Sequence, residues 1–506
     1  MMRHWSIRSA ILFIASRAGV PIMNTNVFLG RRRPACAGRT ILTALAFVLA
    51  SHIEPALAQA DAQPETAVFT IIVTRHGVRA ISPPAKHPGS NYDWADWSEV
   101  GDDNLTAHGY RLMRLMGKVY REAQRAKGLP VDCLGKTSYI YADTAQRTLA
   151  TAHALIEGLC GSPDALDVFH AKDASVKDPI FDATVRLGQL HKVDGVASKA
   201  AVVAVAGSPY SSRVMQHADD FATFQRLLDT RCRSGGCQPI VSAASSIDGG
   251  TTLAAVNRGK DLLEGLKGPI GTASAYSEDV FLEFAQCRPE GQMTSLNSER
   301  LRSALEAGMR LHVLAYDVNA RNAYNPLVRA GTLLARLAAM LDQKAGRTAV
   351  LSQGMPDLKS KTLFIFSGHD TQLGALGGIL NAHWNPEGGI VPDDMPPGSA
   401  LIFDLVRDPR GDYGVRLRFA SMAPDQFRTE KPLESAIKFV PVKYTGCPEG
   451  GCVTPLAQFE SLALTLEAQG FVVDGWDASS SRLPNDPGSS AALKDPKWTE
   501  PQCRGP

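Results

Sequence analysis

The run AVFTIIVTRHGVRA (Ala67–Ala80) opens with eight nearly continuous apolar and β-branched residues, Ala67–Thr74, and turns abruptly basic at Arg75, His76 and Arg79. A strand that is apolar on both faces belongs inside an α/β sheet with helices on each side, so this stretch predicts a central strand. In such sheets ligands bind beyond the carboxyl ends of the strands, where loops from neighbouring strands converge. Two arginines beside a histidine at that place would lose hydration on burial unless an anion compensates them. A phosphoryl group offers fork-shaped acceptors that match guanidinium donors, and Gly77 lets the backbone approach it closely. Any one of these residues alone would read as structural or as half of a surface ion pair. Together they read as a cradle for phosphate.

Outward from this stretch, Leu105–Gly128 carries Leu112, Leu115, Met116 and Val119 at helical spacing, with Thr106 as N-cap and Gly128 as stop. TSYIYA (Thr137–Ala142) predicts a strand and Thr144–Leu159 the helix after it. KTLFIFSG (Lys361–Gly368) predicts a third buried strand that runs into His369-Asp370 and a helix, and Ser399–Asp408 with Tyr413–Ala420 a closing antiparallel hairpin. From about Asp178 to Gln292 the periodic segments are helical and strong strand runs are missing. The expected fold is therefore α/β, a mostly parallel central sheet flanked by helices, with an inserted mainly helical subdomain. Residues 64–177 and 310–478 form the discontinuous core, 178–309 the subdomain, and 479–506 a C-terminal tail over the surface.

Gly30–Thr40 (GRRRPACAGRT), the ten apolar residues Ile41–Ala50 and Ala56-Leu57-Ala58 read as the n-region, h-region and cleavage site of a signal peptide over residues 1–58. Ten apolar residues are too few to span a bilayer, so no membrane anchor is expected after its removal. Translation starts at Met1 or Met23, and Arg31-Arg32-Arg33 also fits a twin-arginine address. Removing seven arginines and Glu54 with the leader turns 53 basic and 51 acidic residues into 46 and 50, a net charge of −4. That balance argues against nucleic acid or an anionic membrane as partner. Among nine cysteines, the glycine-containing intervals of Cys232/Cys237 and Cys447/Cys452 allow short disulfide loops. Cys133/Cys160 makes a third pair, while Cys287 and Cys503 stay unassigned. Zinc is the rival reading of the short pairs, but the C-x4-C spacing without a nearby histidine fits it poorly, and export favours bridges.

RHGVRA (Arg75–Ala80) and SGHDTQL (Ser367–Leu373) resemble the two motifs of the histidine acid phosphatases, the larger branch of the histidine phosphatase superfamily, which includes bacterial periplasmic phytases and glucose-1-phosphatase. The order strand, RHG, helix, helical insertion, strand, HD extends the resemblance over most of the mature chain. It implies an exported, periplasmic or secreted phosphomonoesterase for small phosphorylated metabolites such as phytate or sugar phosphates. His76 would be the nucleophile that becomes phosphorylated, Arg75, Arg79, Arg147 and His369 would surround the phosphoryl oxygens, and Asp370 would be the proton donor. The chemistry is consistent with those residue types: neutral imidazole attacks phosphorus, cations stabilise the transition state, and a carboxylic acid protonates the departing alkoxide.

No metal and no cofactor is expected, because arginines supply the positive charge that Mg²⁺ supplies elsewhere. Arg147 also reads as a helix-surface arginine, and His369-Asp370 as a metal-ligand pair, although the ten histidines after residue 58 include no H-x3-H spacing. The resemblance departs after Arg79, where Ile81 and Ser82 precede Pro83, so the loop beyond is expected on another path. Trp94 and Trp97 read equally as rim or as core. Rival functions are a narrowly selective sugar-phosphate phosphatase, such as a glucose-1-phosphatase, and a non-catalytic binder of phosphorylated ligands. A monomer or small homo-oligomer is expected.

Overall fold

The computed structural model describes residues 65–481 apart from 83–91, 98–99, 233–236, 238, 241–249, 256–262, 288–297, 348–353, 430–436 and 475. The signal peptide, the loop from Pro83 and Cys503 lie outside the described residues.

The opening run is strand β1 (Thr66–Arg75), buried along its second half. It is followed by α1 (Ala107–Ala126), β2 (Ser138–Ala142), α2 (Gln146–Cys160) and β3 (Val168–Ala171). The side chain of Thr106 caps α1 by accepting from the Gly109 amide, as the sequence predicts. Next come α3 (Gly195–Ala206), α4 (Ala218–Asp229), the two-stranded pair β4 (Thr252–Ala255) and β5 (Glu264–Lys267), α5 (Pro269–Ala285), α6 (Ser298–Asn319) and α7 (Asn325–Lys344). The chain then forms β6 (Leu363–Gly368), α8 (Asp370–Leu380), β7 (Ala400–Arg407), β8 (Tyr413–Ala420), β9 (Phe439–Pro441), β10 (Thr454–Pro455), α9 (Leu456–Ala468) and β11 (Ala478–Ser481).

The main sheet runs β10-β8-β7-β1-β6-β2-β3-β11, with β9 on β8. Its parallel part is the four-strand core β1-β6-β2-β3; the remaining pairings are antiparallel, so the sheet is mixed rather than mostly parallel. The hairpin β7-β8 is antiparallel as expected, and it lies directly on β1. Pleating sends Ile72, Ile140, Leu363 and Ile402 to one hydrophobic core and Ile71, Val73, Phe364, Phe366 and Phe403 to another. Two covered faces explain why β1 reads as continuously apolar.

Two local readings change and one open alternative closes. The tail expected from residue 479 begins inside the sheet, because Ala478–Ser481 pairs antiparallel with β3. Within the region read as helical, β4 and β5 form an antiparallel pair. Both cases rest on backbone hydrogen bonds of short edge segments, which need no β-branched alternation to form. Trp94 and Trp97 are core residues, each 6% exposed, and the Arg231 guanidinium lies 4.7 Å from the Trp94 ring centre. Disulfides join Cys133–Cys160, Cys232–Cys237 and Cys447–Cys452, and Cys287 is also disulfide-bonded.

Candidate active site

The three central parallel strands end together: Arg75 pairs with Gly368, and Ala142 with Ser367. The loops leave this edge already tethered, since His76 N donates to Gly368 O at 2.8 Å and Asp143 N to Ser367 O at 3.0 Å. The RHGVR loop then crosses the start of α1, where Thr106 N donates to Val78 O at 3.0 Å. A Cβ on Gly109 would stand 2.1 Å from that same carbonyl, so the approach of α1 to the loop requires glycine.

A cavity of about 580 Å³ opens at this edge, lined by His76, Arg79, Arg147, His369 and Asp370 among others. Arg75 lies beneath it, only 2% exposed, with Nη1 donating to Met395 O at 2.5 Å and Nη2 3.0 Å from Asp370 Oδ2. The structure thus brings all six residues singled out in the sequence to one place.

His76 Nδ1 lies 2.8 Å from Gly77 O, and since a carbonyl only accepts, Nδ1 carries the proton. Nε2 is then the nitrogen with the free lone pair. Burial first, and then Arg75, Arg147, His369 and Arg79, hold this imidazole well below its usual pKa, so it is neutral. The His76 and His369 rings meet edge-on with centres 5.4 Å apart. His369 Nε2 donates to Asp143 Oδ2 at 2.7 Å, while Nδ1 accepts a long contact of 3.4 Å from Arg147 Nη2. Burial would raise the Asp370 carboxyl, but Arg75, His312 and a hydrogen bond from Tyr316 hold it far below the carboxylate range.

Glu278 of α5 was not foreseen. Its Oε1 accepts from Arg79 Nη2 at 3.0 Å and also from Arg75 Nη2, so a single carboxylate oxygen stands between the two guanidinium groups. Burial would raise this carboxyl, and Arg79 and Arg75 outweigh it and lower it. Arg79 is further held by Asp103 at 3.0 Å. Asp143, Asp103 and Tyr316 were also missed. Asp143 directly follows β2 and had a local signal, whereas Glu278, Asp103 and Tyr316 had none. Among the described residues no group of three or more histidine, cysteine, aspartate or glutamate side chains is arranged to hold a metal ion. No helix of the described residues is long and apolar enough to cross a membrane.

Residues 68–201 match the histidine phosphatase superfamily, branch 2. Phytase AppA of Escherichia coli (strain K12) is 27% identical over 418 residues, covering 78% of this chain and 91% of that protein. The structure of Hafnia alvei phytase in complex with myo-inositol hexakis sulphate superposes with a TM-score of 0.67 at 25% identity, covering 79% of this chain and 97% of that one. The Citrobacter braakii phytase structure shares the fold, with a TM-score of 0.64 at 23% identity and coverage of 81% and 100%. With its paired RHG and HD motifs meeting at one sheet edge, this chain is a homologue of the histidine-type acid phosphatases and phytases, and over residues 68–201 it is similar to branch 2 of the histidine phosphatase superfamily.

Proposed function

We propose that the protein is an exported acid phosphomonoesterase that hydrolyses small phosphorylated metabolites, phytate or sugar phosphates among them, through a phosphohistidine. The observation that carries this reading is the fixed tautomer of His76, a buried neutral imidazole with Nδ1 held by Gly77 O and Nε2 left as nucleophile beside three arginines. Nε2 attacks phosphorus, the N–P bond forms, and the ester P–O bond breaks with its electron pair leaving on the alkoxide. Arg75, Arg79, Arg147 and His369 hold the phosphoryl oxygens as charge redistributes. Asp370 gives the alkoxide its proton, then takes one from the water that cleaves the N–P bond.

Two features of the site bear on this sequence. The Glu278 oxygen occupies the place between Arg75 and Arg79 that a phosphoryl oxygen would take, so substrate enters by displacing it. Asp370 is ionised where it faces Arg75, His312 and the Tyr316 hydroxyl, and a phosphoryl dianion that neutralises Arg75 and adds negative charge nearby raises the Asp370 pKa toward the protonated form a donor needs. Export is supported by the leader pattern and by three disulfides, which persist in oxidising compartments. The division into a core of residues 64–177 and 310–478 and an inserted subdomain of 178–309 is part of the same proposal.

Hydrolysis of p-nitrophenyl phosphate at acid pH tests the reading, and a panel with phytate and glucose 1-phosphate ranks the substrates. Alkaline quenching after brief mixing with labelled substrate should trap a base-stable, acid-labile phosphoenzyme that is missing in His76→Ala. A His76→Ala protein with near-normal turnover would remove the nucleophile assignment, and a wild type inactive on every ester would leave a binding protein.

A further inference from the structure

The backbone that carries the nucleophile is clamped on both sides of one peptide. His76 O accepts from Gly398 N at 2.9 Å, and Gly77 N donates to Thr151 Oγ1 at 3.1 Å. The next carbonyl along, Gly77 O, is the one that holds His76 Nδ1 at 2.8 Å. Gly398 contributes its backbone to this clamp and Thr151 its side chain, so Thr151 is the member that a substitution removes. Thr151 is fully buried in α2, away from bulk water. An amide N–H left without an acceptor at such a place carries the whole cost of its lost hydration.

One face of α2 serves both reaction partners. Arg147 and Thr151 are four residues apart, which places them one above the other on the helix. Arg147 lines the cavity and lies 3.4 Å from His369 Nδ1, while Thr151 meets the RHG loop. The same helix is fixed to β6, because Ser367 Oγ donates to Thr148 O at 2.8 Å. β6 in turn runs directly into His369 and Asp370. Loop, cation and proton donor are therefore referred to one rigid element, and Thr151 carries the nucleophile's side of that link.

We infer that Thr151 is a positioning residue for the nucleophile: its hydroxyl fixes the His76–Gly77 peptide so that Gly77 O keeps the His76 Nδ1 proton and Nε2 faces the phosphoryl group held by Arg147. The inference rests on the phosphatase reading for the reaction it serves. Thr151 acts on the step in which the Nε2–P bond forms and the ester P–O bond breaks, its electron pair leaving on the oxygen that Asp370 protonates. In that step the ring becomes a phosphoimidazolium, Nδ1 keeps its proton, and the bond to Gly77 O becomes charge-assisted. A displaced carbonyl therefore costs more in the transition state than in the ground state, while the arginines that bind phosphate stay in place.

The test uses the full exported chain and p-nitrophenyl phosphate labelled at phosphorus. Thr151→Val keeps the shape and removes the acceptor, and Thr151→Ser restores it. Rapid quenching should show phosphoenzyme formation slowed about ten- to hundredfold in Thr151→Val and within about threefold of wild type in Thr151→Ser, the scale of a small misplacement of reacting groups. The inhibition constant of inorganic phosphate should stay within about twofold in both, a split between rate and binding that a merely structural hydroxyl does not produce. Thr151→Ala is run beside them, because the space it opens admits a water that accepts from Gly77 N and keeps the fold if valine loses it; its slowing should lie between the other two. Phosphoenzyme formation at the wild-type rate in folded Thr151→Val, or in Thr151→Ala where valine does not fold, would overturn the inference, as would equal loss of rate and phosphate affinity. Ring-¹⁵N histidine spectra read the tautomer without any turnover: His76 should be the Nδ1–H form in the wild type and in Thr151→Ser, and lose that single form in Thr151→Val. A wild type that hydrolyses no ester removes the phosphatase reading, whereas an unchanged His76 tautomer in Thr151→Val removes the role of Thr151 by itself.

Discussion

Replacing Glu278 by glutamine tests whether its carboxylate occupies the place of the phosphoryl group. Oε1 accepts from Nη2 of both Arg75 and Arg79, and a phosphoryl oxygen that reaches these donors must break both contacts. Hydrogen bonds with a charged partner contribute about 1.5–3 kcal/mol each, so the two hold roughly 3–6 kcal/mol. A neutral amide oxygen keeps roughly half of a charge-assisted bond, and the exchange releases about 1.5–3 kcal/mol to an incoming anion. Inorganic phosphate should therefore bind Glu278→Gln about ten- to hundredfold more tightly, read as its competitive inhibition constant against p-nitrophenyl phosphate. Arg75 keeps Asp370 at 3.0 Å and Met395 O at 2.5 Å, so it is not stranded in the variant. The pH dependence gives a second readout. Glu278 is held below the ordinary carboxylate range, so wild-type affinity should rise relative to the variant as pH falls through that depressed value, where protonation releases the arginines. Equal or weaker phosphate binding in a folded Glu278→Gln protein would refute the reasoning and make the carboxylate a brace for the two arginines.

Two further outcomes follow from single groups. Asp370→Asn should slow hydrolysis of glycerol phosphate far more than that of p-nitrophenyl phosphate, because a stable leaving anion needs no proton; equal slowing of both turnover steps would reassign Asp370 to ordering the site. Asp394, 2% exposed, has its carboxyl pushed up to about 6 by burial, with Oδ1 accepting from Met395 N at 2.7 Å and Oδ2 without a hydrogen-bond partner. The native state then binds more protons than the unfolded chain between about pH 4 and 6, so this group costs stability increasingly as pH rises through that window and fully above it. Asp394→Asn keeps the Oδ1 acceptor and should stabilise the protein by about 1–3 kcal/mol at pH 7, with the gain fading toward pH 4. Urea midpoints at both pH values check this, and a gain that is larger at pH 4 would contradict the buried-carboxyl account.

The sequence by itself determined the parts whose cause is local. Continuous apolar runs marked β1, β2 and β6, helical spacing with the Thr106 cap marked α1, and short glycine-containing intervals marked two of the disulfide loops. The RHGVR and HD segments were legible because each attaches directly to the end of a readable strand, so the rule that strand ends carry ligands located them before any contact was known. Short edges escaped for the opposite reason: β11 is held by backbone pairing with β3 far earlier in the chain and β4 by pairing with the neighbouring β5, and ASSS or TLAA carries no side-chain pattern that announces it.

The tertiary structure alone decided what stands opposite the motifs. Glu278 reaches Arg75 across 203 residues of sequence, and Tyr316 meets Asp370 from α6. None of these side chains has a local sequence pattern that names the partner it meets. Glu278 and Tyr316 meet Arg75 and Asp370 because the fold brings α5 and α6 to the cavity at the carboxyl edge of the sheet, which is why these partners were fixed by the fold and not by spacing along the chain.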